Sequence, residues 1–174
     1  MESLLSKSLT ILRGVVYSAA FVGLWTWLAI QVRPFDENLA VGLPSWLRPL
    51  GLVLAVAGAV LAGTCIATFV TKGRGTPAPF DPPRAFVASG PYRYVRNPMY
   101  VGATAVILGA GLAVASPSIV LLAPAFLLIM HLFVVLHEEP SLAATFGASY
   151  QAYRSSVSRW LIRRPRSNAA RGAG

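Results

Sequence analysis

Long apolar blocks alternate with polar connections along almost the whole chain. Four blocks without a charged residue cover residues 14–32, 50–71, 98–115 and 118–136. Each is close to the roughly 20 residues that an α-helix needs to cross the hydrocarbon core of a bilayer. The pattern therefore predicts an all-α protein, a membrane helical bundle of about four transmembrane helices that forms one integral-membrane domain over residues 1–174.

The connections between the blocks differ greatly in length. Only Ser116 and Pro117 separate the third block from the fourth, so these two helices must form a tight antiparallel hairpin. Residues 72–97 form a long loop, whose first half is too rich in glycine and proline for regular helix or a central strand. In the second block Ala55, Ala59 and Gly63 recur at every fourth position, which predicts a surface that another helix can approach closely.

A different periodicity follows the fourth block. Apolar and aromatic residues recur there at steps of three or four, namely Leu142, Phe146, Tyr150, Tyr153, Val157 and Trp160. This spacing predicts an amphipathic helix over about 141–162 that lies on the membrane surface or covers the ends of the spans. Residues 163–174 form a basic tail.

Composition and charge agree with a membrane protein. Hydrophobic residues make up 55% of the chain, charged residues only 12%, and the formal net charge is +9. With four spans, 13 of the 15 basic residues fall on one side, in the N-terminus, the long loop and the tail. This asymmetry places both termini and the loop in the cytoplasm and explains the charge without a nucleic-acid partner.

The second half of the long loop contains an unusual polar motif, RAFVASGPYRYVRNPMY, at residues 84–100. Three tyrosines alternate there with two arginines. Pro98 suits the first position of a helix, and the side chain of Asn97 is expected to cap that helix. The motif predicts a structured loop that enters the third span.

Two adjacent carboxylates, Glu138 and Glu139, follow the fourth span. Such a pair repels itself and is costly to desolvate unless a cation neutralises it. Either Arg93 or Arg96 forms an ion-pair clamp there, or a ligand brings an ammonium or sulfonium that tyrosine faces cover. Free amides at the start of the third span would suit an anionic group on the same ligand, so a zwitterionic, amino-acid-like cofactor would fit both ends.

Other candidate residues carry less chemistry. His131 lies seven residues before Glu138 and so shares its helical face, and we expect it to be a hydrogen-bonded packing residue rather than a catalytic one. Cys65 is the single cysteine and lies in an apolar block, so the sequence predicts no metal site.

The segments SGPYRYVRNPMYVG and EEPSLAATFGASYQAYRSSVSRW, with the hydrophobic hairpin between them, resemble the isoprenylcysteine carboxyl methyltransferase and phospholipid methyltransferase group. The resemblance covers about residues 72–162. It implies an integral-membrane methyltransferase that uses S-adenosylmethionine and modifies a lipid-like or prenylcysteine-like acceptor.

Carried over by motif, the resemblance also implies site residues. Glu138 would hold the amino group of the cofactor, and Glu139 would accept a proton when the methyl acceptor is an amine. The implied cofactor contacts are Arg84, Ala85, Phe86, Val87, Tyr92, Asn97, Pro98, Met99, Tyr100 and Glu138.

The methyl acceptor has two interpretations. Prenylcysteine-type enzymes usually have histidine where this chain has Asn97 and a substrate-contacting arginine where it has Val134. The ASP turn at residues 115–117 and the EEP at residues 138–140 resemble phosphatidylethanolamine N-methyltransferases. The acceptor is therefore either a prenylcysteine-like carboxylate or a phospholipid amine.

Two rival classes remain. An NADPH-dependent membrane reductase would place a strongly anionic dinucleotide beside Glu138 and Glu139, which would repel it. A non-enzymatic membrane scaffold would not explain the density of tyrosine, arginine and proline in the motif loop. The minimal four-span design favours a prokaryotic plasma membrane.

Overall fold

The protein is a bundle of α-helices, seen in a computed structural model that describes residues 4–69, 71 and 86–162. Within that part of the chain no strand forms, and an isolated bridge joins Val95 to Ser158. The helices are α1 (Leu4–Val32), α2 (Asp36–Leu39), α3 (Leu47–Thr68), α4 (Pro98–Ala113), α5 (Pro117–Phe133) and α6 (Glu139–Ser156). The prediction of an all-α membrane bundle is confirmed.

Among the described residues, three helices are long and apolar enough to cross a membrane. They are α1, α3 and the continuous helix that begins at Pro117. The third predicted span, α4, has 16 residues and is shorter than the others. Both α1 and α3 begin before the apolar blocks that predicted them, at Leu4 and Leu47, because helical hydrogen bonding continues into the polar residues beside an apolar block, and the first turn of α3 tolerates Pro49.

Helices α3 and α4 pack backbone against backbone. A Cβ atom added at Gly58 would lie 2.5 Å from the carbonyl oxygen of Gly102, and one at Gly109 would lie 2.5 Å from the amide nitrogen of Ala55. Only glycine permits this approach, which agrees with the close contact expected of small residues in membrane helices.

The predicted face of α3 is wrong for two of its three small residues. Ala55 lies at the contact, but Ala59 is exposed, and a Cβ at Gly63 would meet nothing within 4 Å. Successive steps of four drift around a helix of 3.6 residues per turn, whereas alternating steps of four and three stay on one face. The buried residues of α3 accordingly recur every seven positions, at Gly51, Gly58 and Cys65.

Helices α4 and α5 form the predicted tight hairpin. Ser116 caps α5 by accepting a hydrogen bond from the amide of Ile119 at 3.3 Å. The Asp36 carboxylate accepts another from the amide of Ser118 at 2.8 Å, so the connection after α1 covers this turn. Farther along α5, the Phe126 ring packs edge-on against Trp25 of α1, with centroids 4.6 Å apart.

The junction between α5 and α6 is one turn of π-helix at Val134–Glu138. The apolar part of this long helix ends at Leu136, before the first charged side chain. Because a π-turn holds more residues than an α-turn, it changes the faces on which the following residues lie. It therefore decides where Glu138 and Glu139 point.

The amphipathic helix is shorter than predicted. It bends at Gly147, whose φ of 50° and ψ of −123° are not helical, and it ends at Ser156 instead of 162. The hydroxyls of Ser155 and Ser156 donate to carbonyls three positions back, and Val157 is extended. Serine side chains that compete for backbone groups, followed by a β-branched residue, favour such an ending. The chain then returns to the motif loop.

Candidate active site

The motif loop rests on the end of α3. Residues Gly90–Arg93 form a turn of 3-10 helix. Gly90 has a φ of 60°, and a Cβ atom there would lie 2.9 Å from the hydroxyl oxygen of Thr68. Glycine therefore supplies both the left-handed backbone and the space for this contact.

Tyr92 lies in a buried cluster with Val87 and Cys65, against which Met99 and Phe69 also pack. The rings of Phe69 and Tyr92 meet edge to face, with centroids 5.1 Å apart. Burial raises the pKa of Tyr92, and the neighbouring Cys65 and Glu138 raise it further. Its hydroxyl is therefore a neutral hydrogen-bonding group at any physiological pH.

Tyr100 and Glu138 meet next to this cluster. The Tyr100 hydroxyl donates a hydrogen bond to Glu138 Oε2 at 3.1 Å. Burial raises the pKa of Glu138, the hydrogen bond from Tyr100 opposes that shift, and the charge of Glu139 adds to it. Among the described residues no basic side chain forms an ion pair with Glu138. This carboxylate can therefore take a positive group from a ligand.

The surroundings of Glu139 are entirely different. Arg159 donates two hydrogen bonds to this carboxylate, Nε to Oε1 at 2.7 Å and Nη2 to Oε2 at 3.0 Å. Arg96 Nη1 lies 3.2 Å from Oε1, and Arg154 Nε lies 3.9 Å from Oε2. Burial disfavours the charge on Glu139, but the bonds from Arg159 and the three positive charges outweigh it and lower the pKa.

The arginine clamp expected for the carboxylate pair thus exists, but it binds Glu139 alone. Arg96 belongs to it, whereas Arg93 is exposed and does not. A carboxylate with a lowered pKa and bidentate arginine contact is a weak proton acceptor. The geometry therefore favours a structural role for Glu139 over the predicted role as a base.

Asn97 begins α4, but its side chain does not cap the helix. Its backbone amide and its Nδ2 both donate to the carbonyl oxygen of Arg159, each at 3.3 Å. The expected cap is wrong because the donation from Nδ2 to the returning chain, which the sequence pattern did not reveal, orients the side-chain amide so that its oxygen caps no amide of the first turn. The first turn of α4 consequently has no side-chain cap.

Trp160 reaches the site from the same returning segment. Its indole N–H donates to His131 Nδ1 at 3.0 Å, so the expectation that His131 is a hydrogen-bonded packing residue is confirmed. Trp160 also packs against the buried cluster of Tyr100, Phe126 and Val134. Neither Trp160 nor Arg159 was predicted as a site residue, because both were assigned to a straight amphipathic helix.

Aromatic contacts join the start of the described loop to α6. The ring of Phe86 lies 5.1 Å from that of Tyr153 and 5.4 Å from that of Phe146, between centroids. The Tyr153 hydroxyl donates to the carbonyl oxygen of Tyr92 at 2.6 Å. Phe86 therefore packs against α6.

The structure brings most of the predicted cofactor residues into one region. Met99 packs against both buried clusters and so joins Tyr92 to Tyr100. Asn97 and Pro98 form the start of the same helix. Arg84 and Ala85 lie outside the described residues. No described group of three potential metal ligands occurs.

Comparison with known proteins gave two matches of interest. The model of the phospholipid methyltransferase family matches residues 46–149. A solved structure, that of the eukaryotic intramembrane Ras methyltransferase isoprenylcysteine carboxyl methyltransferase, is 26% identical with a TM-score of 0.51. The match covers 82% of this chain and 50% of that one, so the chain spans about half the length of that protein. No curated protein matches.

Proposed function

The chain belongs to the phospholipid methyltransferase family, and on that premise we propose that it moves a methyl group from S-adenosylmethionine to a lipid-like or prenylcysteine-like acceptor. The similarity to a solved intramembrane methyltransferase supports a site inside a membrane bundle. The cofactor, the acceptor and the residues that serve them are parts of this proposal.

The observation that carries the proposal is the state of Glu138. Its carboxylate is partly buried, accepts a hydrogen bond from Tyr100 and has no basic partner among the described residues. A buried charge of this kind is costly unless a counter-charge completes it. The amino group of S-adenosylmethionine would be that counter-charge.

The start of α4 offers the complementary half of the site. Its first turn has no side-chain cap, so the amides of Met99 and Tyr100 remain available to an anionic group. The cofactor carries an amino group, a carboxylate and a sulfonium, which fits a carboxylate beside free amides. Tyr92 and Met99, packed next to Tyr100, would supply apolar and aromatic cover.

The main contribution of the protein to methyl transfer would be to align the two reactants. When bound, the cofactor would supply an electrophilic methyl group on a sulfonium. Holding two reactants in line can lower a barrier by roughly 7 to 11 kcal/mol. Glu138, Tyr100 and the start of α4 would hold one reactant, and the apolar cluster around Tyr92 would exclude water from it.

The proposal is tested by measuring, with calorimetry, the affinity of the detergent-purified full chain for S-adenosylmethionine. We expect micromolar binding of S-adenosylmethionine, weakened about 10-fold or more in Glu138→Gln because a charged hydrogen-bonded pair is lost. Glu37→Gln is the matched control, since Glu37 is an exposed carboxylate in α2. Unchanged affinity in Glu138→Gln would remove Glu138 from the site. Binding of reduced nicotinamide dinucleotide in place of S-adenosylmethionine would favour the reductase.

Two acceptors need separate assays. The family match favours a phospholipid amine such as phosphatidylethanolamine, whereas the structural match is to a protein named for an isoprenylcysteine carboxyl group. Labelled methyl transfer to phosphatidylethanolamine vesicles and to a prenylcysteine analogue distinguishes them. A carboxylate needs no base, whereas an amine must lose a proton.

The chain is a multi-pass membrane protein, and its orientation is part of the proposal. We place both termini and the site in the cytoplasm, most simply at a prokaryotic plasma membrane, because the basic residues cluster at that end. Reporter fusions at residues 1 and 174 would show cytoplasmic activity at both ends if this orientation is right. Opposite signals would overturn it.

A further inference from the structure

The segment 158–160, which we call the C-terminal strap, contacts three separate parts of the candidate site. The carbonyl oxygens of Ser158 and Arg159 accept hydrogen bonds from the motif loop, the Arg159 guanidinium binds Glu139, and the Trp160 indole binds His131. We propose that the strap positions the motif loop for cofactor binding and that Arg159 is its positioning residue. This inference rests on the proposed function.

Arg159 attaches the strap to the junction of α5 and α6. Its guanidinium and Glu139 form two parallel bonds of 2.7 and 3.0 Å, and Glu139 is 7% exposed. A bidentate arginine pair fixes orientation as well as distance, which a lysine at the same position would not. The junction in turn contains the π-turn that directs Glu138 toward Tyr100.

The backbone of the strap sets the start of α4. The amide of Arg96 donates to the carbonyl oxygen of Ser158 at 2.8 Å, and both donors of Asn97 point at the carbonyl oxygen of Arg159. The Asn97 side chain is thereby held away from the first turn of α4. If the strap moved, that side chain would be free to cap the helix and compete for its amides. One residue, Arg159, thus connects the carboxylate junction with the helix start.

Variants of Arg159 distinguish a role in positioning the motif loop from a role only in stabilising the fold. Arg159→Met removes the guanidinium but keeps an apolar stem, and Arg159→Lys keeps the charge without the bidentate geometry. Arg154→Met is the matched control, because Arg154 approaches the same carboxylate only to 3.9 Å with a side chain that is 49% exposed. Exposed pairs of this kind contribute little.

The measurements are the Kd and KM of S-adenosylmethionine, kcat at saturating cofactor, and the melting temperature of the full chain in detergent. We expect Arg159→Met to weaken cofactor binding about 10- to 100-fold, as for loss of a buried charge-assisted bond, and Arg159→Lys to recover part of it. Since Arg159 acts through the motif loop in this proposal and not on the methyl group, kcat should change less than about threefold. Arg154→Met should leave all of these values close to wild type.

Two results would overturn the proposal. In the first, cofactor affinity is unchanged in Arg159→Met. In the second, the amount of folded protein and the melting temperature fall while the remaining folded protein binds with wild-type Kd, which would make Arg159 a merely structural residue.

Hydrogen exchange gives a reading that does not depend on the cofactor. The amides of Arg96 and Asn97 should exchange faster in Arg159→Met but not in Arg154→Met, because their acceptors lie on the strap. Unchanged protection in Arg159→Met would sink the inference. If the wild type binds no S-adenosylmethionine, the proposed function fails, and this exchange still decides whether Arg159 orders the loop.

Discussion

The hydroxyl of Tyr100, on α4, donates a hydrogen bond of 3.1 Å to Glu138, which ends the π-turn after α5. The next residue in the chain, Glu139, is held instead by Arg159 and Arg96. Neighbouring carboxylates therefore have opposite environments, one with a raised pKa and one with a lowered pKa. Under the proposed function, Glu138 would serve the ligand and Glu139 the fold.

Tyr100→Phe should alter the pH dependence of cofactor binding. The hydrogen bond from Tyr100 stabilises the ionised form of Glu138, so its loss raises the pKa of Glu138 still further. Cation binding requires the ionised form, and the acidic limb of the affinity profile should move to higher pH. Calorimetry from pH 5 to 8, with affinity about 3- to 10-fold weaker at the acidic end, would show it. An unshifted limb would mean that another group titrates there.

The pH dependence of stability should separate Glu138 from Glu139. Since the pKa of Glu139 is below its ordinary 4.5, this residue stabilises the fold above that pH, and the contribution is lost as pH falls through the lower value. Since the pKa of Glu138 is raised, the fold gains stability as pH falls through that higher value toward 4.5. The ligand-free protein should therefore melt highest in mildly acidic solution.

Two variants check this assignment by melting temperature in detergent. Glu139→Gln should flatten the acidic fall, and Glu138→Gln should abolish the gain between neutral and mildly acidic pH. If both slopes survive in both variants, other groups account for the profile.

Asn97→Asp should weaken cofactor binding and strengthen the cap at the start of α4. The substituted carboxylate would have no N–H to donate to the carbonyl oxygen of Arg159 and would turn toward the first amides of α4, where a cap contributes about 0.5 to 2 kcal/mol. The same carboxylate would repel an anionic group at that helix start. We expect weaker cofactor binding with a loss in melting temperature smaller than that of Asn97→Ala. Wild-type affinity in Asn97→Asp would show that no anion binds there.

The contact of α3 with α4 should not tolerate a methyl group. A Cβ at Gly58 would lie 2.5 Å from a backbone carbonyl, so Gly58→Ala should destabilise the protein by about 1 to 3 kcal/mol through overpacking. Gly63→Ala, on the same helix with nothing within 4 Å, should be neutral or slightly stabilising. Thermal unfolding in detergent measures both. Equal effects would mean that the two helices separate without cost.

The sequence predicted those features that depend on local pattern. Uncharged blocks gave the helices, and two residues between blocks required the α4–α5 hairpin. Motif resemblance identified Tyr92, Met99, Tyr100 and Glu138, which the fold places in one region. Their role in binding stays a prediction.

Features that depend on distant contacts could not be predicted in this way. The pairing of Arg159 with Glu139 requires the chain to reverse after Ser156, and a steady three-to-four periodicity extends past that point and hides the reversal. The heptad from His131 to Glu138 suggested a shared helical face, but a π-turn lies between them and spacing alone does not reveal it. The available signal for the Arg159–Glu139 pair was that two adjacent carboxylates need a cation and that the sequence has many arginines near them.

The backbone contact of α3 with α4 also limits how a lipid could reach the site. The main chains of these two helices touch at Gly58 and Gly102. Such close packing holds the helices together as a rigid pair, which leaves no space between them for an acyl chain. On the opposite side, the described contacts of α1 with α5 include large side chains such as Trp25 and Phe126, which can change rotamer. We therefore expect a lipid acceptor to enter the site laterally from the bilayer between α1 and α5, where these aromatic rings can rotate aside.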